Sequence, residues 1–321
     1  YWFNFFPGWP EMTIANTVRQ HWAALRALLV FTVILGIGYP LLIWLAALVP
    51  GLHGKAEGSI VTAGGKAVGS RLIGQQFTDA AGNALPQYFQ ARPSAASAGY
   101  DAMSSGGSNL GPESVVDTPG DPAKLAGGAS PADAGFKASL LTLVCSRSAG
   151  VAKLEGLSQQ DAARPFCTGS GVGSVLSVTG QRDTRGGVIR PTRVVSINEP
   201  CATTPQTFVD FYDGVRVECA KFGEDYSNGM VVPIRGAAPD SPHVPADAVT
   251  ASGSGLDPDI SPAYADLQIP RVAKARHVSL GQINELVQAN QRGRILGIFG
   301  DPTVNVLALN LELDHRYPVT N

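Results

Sequence analysis

Apolar and polar positions are spread unevenly along these 321 residues. From Ala27 to Val49 the chain reads ALLVFTVILGIGYPLLIWLAALV, without Asp, Glu, Lys, Arg or His. A helix of that length covers roughly 34 Å, against a hydrocarbon core of about 30 Å. The run is longer than a signal-peptide core and ends in Val49-Pro50-Gly51, a poor cleavage site. It therefore predicts a retained transmembrane helix, drawn as residues 23–50. Inside it, Pro40 lacks an N–H and crowds the carbonyl of Gly36, which predicts a bend. Gly36, Gly38, Tyr39 and Pro40 together read as a notch where a second membrane helix packs closely. Residues 1–22 are a flank. Their aromatic start, YWFNFFPGWP, suits a membrane interface, and Met12-Thr-Ile-Ala-Asn resembles a natural start that would make the first eleven residues an extension.

Beyond the anchor the apolar runs shorten. Ser59-Ile60-Val61 and Gly69 to Gln75 read as short strands, and Gln90 to Ala95 as an extended segment because Pro93 pushes Arg92 out of helix. Ser104 to Leu110 is a glycine loop. The pattern of Phe136, Leu140, Leu141, Leu143 and Val144 predicts a helix over 133–145, and Ser158 to Asp161 resembles a capping box. Strand-like runs follow at 174–178, 188–189 and 194–197. Phe208–Tyr212 and Val215–Cys219, joined by Asp213-Gly214, read as a hairpin with a type I′ turn. Ser261-Pro262 marks a helix start, and Ser279-Leu-Gly-Gln282 a capping box opening a helix with Leu280, Ile283, Leu286 and Val287 on one face. Val304 to Leu313 alternates, with Leu307, Leu309, Leu311 and Leu313 on one side, and reads as a strand.

Composition changes this picture in two places. The net charge is −2 with 24 basic and 26 acidic residues, so nothing marks a nucleic-acid partner. The chain has four cysteines, and all of them, Cys145, Cys167, Cys201 and Cys219, fall in one segment bracketed by proline-rich flanks, without C-x-x-C spacing or a nearby histidine. Two disulfides are the natural reading, with three connectivities open. Disulfides persist outside the cytoplasm, which places the N-terminus inside and the bulk outside the cell membrane. The basic residues flanking the anchor add little to that orientation.

Catalytic chemistry is not visible. The five histidines are scattered, with no G-x-S-x-G elbow. No lysine follows the glycines of 104–110 in the phosphate-loop pattern, and Gly169-Ser-Gly-Val-Gly173 has the wrong spacing for a dinucleotide loop. Asp257, Asp259 and Asp266 are read as capping or solvated acids ahead of a cation-gathering role. Arg271, Lys274 and Arg276 are read as a solvated helix face.

Several blocks in one order carry a family resemblance: Gly38-Tyr-Pro-Leu41, Gly69-Ser-Arg-Leu-Ile-Gly-Gln75, Ala91-Arg-Pro-Ser-Ala95, Ser105-Gly-Gly-Ser-Asn-Leu110, Val249 to Pro262, Gln268 to Arg276, and Val304 to Asp314. The chain resembles the C subunit of the bacterial potassium-transporting ATPase, KdpC, over roughly 20–118 and 243–314. Ala91 replaces a family glycine, and the cysteine-bearing segment has no counterpart in the usual shorter member. The resemblance implies a non-catalytic subunit beside a potassium-selecting channel-like subunit, a P-type ATPase subunit and a small accessory subunit. It also implies a catalytic chaperone that raises the ATPase subunit's affinity for ATP. With the bulk outside the membrane, that influence on ATP has to be indirect. ATP and potassium are then handled by the complex, and the chain has no cofactor of its own.

The expected architecture is a single-pass membrane anchor helix plus an extracytoplasmic α+β domain formed by 51–118 and 241–321. An inserted disulfide-bearing α+β subdomain occupies 119–240. The alternative reading is a membrane-anchored extracytoplasmic binding protein without a pump partner. A nucleotide-binding cytosolic cofactor of the pump is a further rival, and it predicts free thiols.

Overall fold

The computed structural model describes residues 14–96, 99–103, 106–107, 109–202, 204 and 206–319. The aromatic start at 1–11 lies outside the described residues, as do Ser104, Ser105 and Ser108 of the glycine loop. Two compact units divide the chain, Tyr1–Ile60 and Val61–Asn321.

The first unit is built on one apolar rod. Helix α1 (Ile14–Val33) passes through a π turn (Ile34–Gly38) into α2 (Tyr39–Ala47), and a short α3 (His53–Ala56) follows. The stretch Ile14–Ala47 is long and apolar enough to cross a membrane, and none of its residues is buried within the protein.

A two-stranded ribbon follows, β1 (Ile60–Ala63), which begins at the last residue of the first unit, and β2 (Lys66–Ser70). The strand expected over 69–75 thus stops at Ser70, where the Ser70 carbonyl accepts the Ile73 N–H in a turn. Next come α4 (Pro122–Ala126), α5 (Leu140–Glu155), β3 (Val175–Arg182), β4 (Val188–Pro200), β5 (Phe211–Tyr212), β6 (Val215–Ala220) and β7 (Met230–Pro233). The five strands form one sheet in the order β5-β6-β4-β3-β7, antiparallel except for the β4–β6 pair. Asp213 and Gly214 both have positive φ, so the β5–β6 turn is the left-handed pair that Asp-Gly favours. After α6 (Ala246–Val249) come β8 (Asp259–Ile260), α7 (Pro262–Arg276), α8 (Leu280–Asn290), β9 (Gln291–Arg292), β10 (Thr303–Asn305) and α9 (Val306–Arg316). β8, β10 and β9 form a small antiparallel sheet with β10 central.

Helix ends follow local chemistry. Ser139 accepts the Thr142 N–H and Gly156 closes α5 in the left-handed region. Ser261 caps α7 with Pro262 behind it, and Ser279 with Gln282 forms the full capping box of α8. The helix expected from 133 begins only at Leu140, because Lys137 is held in a bridge to Thr118 by hydrogen bonds of 2.8 and 3.0 Å. Ser158 and Asp161 do bond each other, but they close a single turn and open no helix. Leu280, placed with the buried face of α8, is exposed, whereas Ile283, Leu286 and Val287 are buried.

The largest departure is at 306–313, which is helix rather than strand. Leucine at every second position satisfies both periods here. Val306, Leu309 and Leu313 fall on one helical face, and all are buried. Asn305 decides the matter by accepting the Ala308 N–H at 3.0 Å, which ends β10 and starts the helix.

Two apolar clusters hold this unit. The smaller is inside the sheet around Leu176, Val178, Val194 and Val217. The larger packs α7, α8 and α9 on Phe89, Ile260 and Val304, and it includes Ala152 of α5. The cysteine-bearing segment therefore contributes a helix to the main core. Arg147 and Arg164 also reach across to the carbonyls of Val249 and Val244.

Candidate functional site

The rod carries the first candidate. Because Pro40 brings no N–H, the helix changes register ahead of it, and the Tyr39 N–H bonds Ile34 O, five residues back. The irregularity ahead of Pro40 is a π turn across Gly36 and Gly38. A Cβ placed on Gly36 or Gly38 would meet its own helix only at 3.9 or 3.7 Å, ordinary contact distances. Neither glycine is required by the fold of the rod itself.

The second candidate is a loop junction in the other unit, where five of the sequence blocks converge. Gly74 N donates to Leu256 O at 2.8 Å, and a Cβ on Gly74 would overlap the Asp257 carbonyl. Ala95 N bonds Ser252 O, and Ser252 N bonds Pro93 O, so Ser94 and Ser252 form a parallel bridge. Asp101 N donates to Ser254 O and Gly106 N to Gly253 O. Arg92 clamps the junction with an ion pair of 2.6 Å to Asp257 and two hydrogen bonds to Thr250 O. Asn305 adds bonds from its Nδ2 to Arg71 O and Asp259 Oδ1. These polar groups are bonded to one another and tie the loops of the junction together. Asp257 and Asp259 are thereby accounted for as structural acids. Asp266 stands apart, its carboxyl raised by burial.

The reading of Arg271 and Arg276 as solvated is overturned. Both are buried, and only Lys274 of the three is exposed. Arg276 bonds Asp314 at 2.7 Å and the carbonyls of Gln87 and Tyr317, and its guanidinium lies 4.7 Å from the Tyr88 ring centre. Periodicity around Pro270 hid this, since the prolines of 262–276 obscure which face of α7 is inward. Asn305 was missed too, although an Asn ahead of apolar positions 306, 309 and 313 is a legible cap signal.

The four cysteines pair as Cys145–Cys167 and Cys201–Cys219. The first ties α5 to the loop before β3, and the second joins the end of β4 to β6. A cavity of about 490 Å³ lies beside the second bridge, lined by Phe136, Ile197, Asn198, Phe222, Tyr226 and Val231. Of its polar groups, Asn198 is engaged with Val115 O and Gly173 O, and Tyr226 with Glu224 and the Lys221 N–H. Among the described residues no group of three or more His, Cys, Asp or Glu side chains could hold a metal ion.

The family model for the "K+-transporting ATPase, c chain" matches residues 21–117 and 229–315, taking in the rod and the loop junction. The potassium-transporting ATPase KdpC subunit of Kineococcus radiotolerans is 32% identical over 309 residues, covering 96% of this chain and 100% of the relative. That of Koribacter versatilis is 32% identical over 290 residues, covering 90% and 91%. That of Caulobacter vibrioides is 33% identical over 296 residues, covering 92% of each. With the match spread across both units, this chain belongs to the KdpC family, the c chain of the K+-transporting ATPase.

Proposed function

We propose that the chain is the membrane-anchored accessory subunit of an ATP-driven potassium uptake complex. It assembles with a potassium-selecting channel-like subunit, a P-type ATPase subunit and a small accessory subunit, and performs no chemistry of its own. The observation that carries this reading is the family match over 21–117 and 229–315. Its support within the chain is the π turn at Gly36–Pro40, whose glycines leave room for another helix backbone. The N-terminus lies in the cytoplasm and the second unit outside, where both disulfides are stable. From there the unit braces the ion-selecting subunit, and any effect on ATP affinity passes through the shared membrane assembly. We read the cysteine-bearing segment, 119–240, as an insertion relative to the shorter members; the family model leaves 118–228 unmatched, while the relatives above align over 90% or more of this chain and share most of that segment.

Affinity purification of the tagged chain in mild detergent tests the assembly. Recovery of the pump subunits is expected; recovery of the chain alone would favour a free-standing anchored binding protein. Protease added to intact spheroplasts should cut beyond Gly51. Cleavage only in inverted vesicles reverses the topology.

A further inference from the structure

Between β9 and β10 the chain leaves the small sheet as a narrow projection. Arg294 and Asp301 close its neck with an ion pair of 2.9 Å. Beyond that pair the sequence is Ile295-Leu-Gly-Ile-Phe-Gly300, with no polar side chain. Ile295 and Phe299 exchange hydrogen bonds of 2.9 and 3.0 Å as an antiparallel bridge. Leu296 and Gly297 turn the chain with positive φ, and the side chains of Ile295, Leu296, Ile298 and Phe299 are 72%, 84%, 69% and 61% exposed. Four large apolar side chains held outward by a closed turn are an interaction surface, not loose packing.

Three features point to lipid as what covers it. The N–H groups of Ile295, Gly297, Ile298 and Phe299 are all bonded within the tip, so these donors enter a medium of low dielectric already paired. The tip also offers a protein partner no polar side chain, whereas protein interfaces carry about one hydrogen bond per 100–200 Å². Finally, exposed Arg292 stands at its base beside the Arg294–Asp301 pair, and a guanidinium at that level suits a lipid phosphate.

We propose that the 294–301 tip is a second, interfacial membrane contact. Ile295, Leu296, Ile298 and Phe299 enter the boundary between headgroups and acyl chains, with Arg292 at phosphate level. The inference rests on membrane association of the chain and not on the identity of its pump partners. Its test uses the full chain in nanodiscs of phosphatidylcholine and phosphatidylglycerol. An environment-sensitive fluorophore is attached through Leu296→Cys, with Met103→Cys, at another fully exposed site, as the control. The native cysteines are held in disulfides and do not compete.

The expected result is a blue-shifted emission at position 296, quenched by lipids spin-labelled near the headgroup, with neither effect at 103. Adding Arg292→Gln should weaken the quenching. Emission and quenching equal to those of the control would overturn the proposal. So would a blue shift that arises only when the pump subunits are added and stays unquenched by lipid, since that reports a protein contact. Neither result would bear on whether the chain co-purifies with a pump.

Discussion

Arg271 Nε lies 3.1 Å from both carboxylate oxygens of Glu155, and the two side chains are 7% and 1% exposed. Three of the four remaining guanidinium hydrogens go to the carbonyls of Pro86 and Tyr88 and to Gln268 Oε1. One buried cation thus joins α7, the 86–90 segment and α5 of the cysteine-bearing segment. Breaking such a pair on one side leaves an uncompensated charge, at a cost of roughly 3–5 kcal/mol. Arg271→Met is expected to destabilise the second unit by about that amount, read from denaturant midpoints in detergent. The double change Arg271→Met with Glu155→Leu should recover a large part of the loss. Deleting 122–239 removes Glu155 and Ala152 together, so that variant is expected to accumulate poorly unless Arg271 is also replaced.

Stability should also vary with pH on the acid side. Burial raises the Asp117 carboxyl above its ordinary value, with the Ser139 N–H and the Thr142 hydroxyl pulling the other way. Burial likewise raises Glu155, against the pull of Arg271. For a raised carboxyl the folded state holds its proton to higher pH than the unfolded chain does. Its stabilising contribution is therefore complete below the unfolded value, near pH 4, and is lost as pH climbs through the folded value. Asp117→Asn keeps an acceptor for Ser139 and removes the proton. Unfolding midpoints of this variant measured from about pH 4 upward should depend less on pH than those of the parent.

The two disulfides close loops of similar length, with sequence separations of 22 and 18, so each constrains the unfolded chain by about 3 kcal/mol. Their surroundings differ. Cys145 is buried beside the main core, whereas Cys201 is exposed. Paired Cys→Ser replacement at 145 and 167 should lower the unfolding midpoint more than the same change at 201 and 219. Under limited reductant, alkylation followed by mass spectrometry should find the 201–219 bond opened first.

Gly38→Leu separates packing between helices from packing within the rod. A Cβ there meets only ordinary contacts in its own helix, so membrane insertion and helix content should not change. Recovery of partner subunits in a mild-detergent pull-down should fall several-fold if a second backbone approaches at this point. Pro40→Ala restores the missing N–H and should return the π turn to regular helix, visible as a backbone hydrogen-exchange change at Gly38 to Leu41.

Much of this was legible in the chain because it depends on neighbours in sequence. The apolar run, the caps at Ser261 and Ser279, the Asp213-Gly214 turn and the ordered family blocks are all local signals, and each appears where its own residues dictate. The segment 306–316 shows the limit, since leucines spaced by two serve a strand or a helix. The choice fell to Asn305, whose side chain is held by Arg71 and Asp259 from distant parts of the chain.

By itself the sequence determined the family, the apolar rod with its proline register change, and the presence of four cysteines close enough to pair. Only the tertiary structure decided which cysteines meet, that Arg271 and Arg276 turn inward, and that α5 joins the main core. Those outcomes depend on which carboxylate or sulfur arrives opposite a given side chain. Burial makes an unpaired charge costly, and partners far apart in sequence are brought together only by folding.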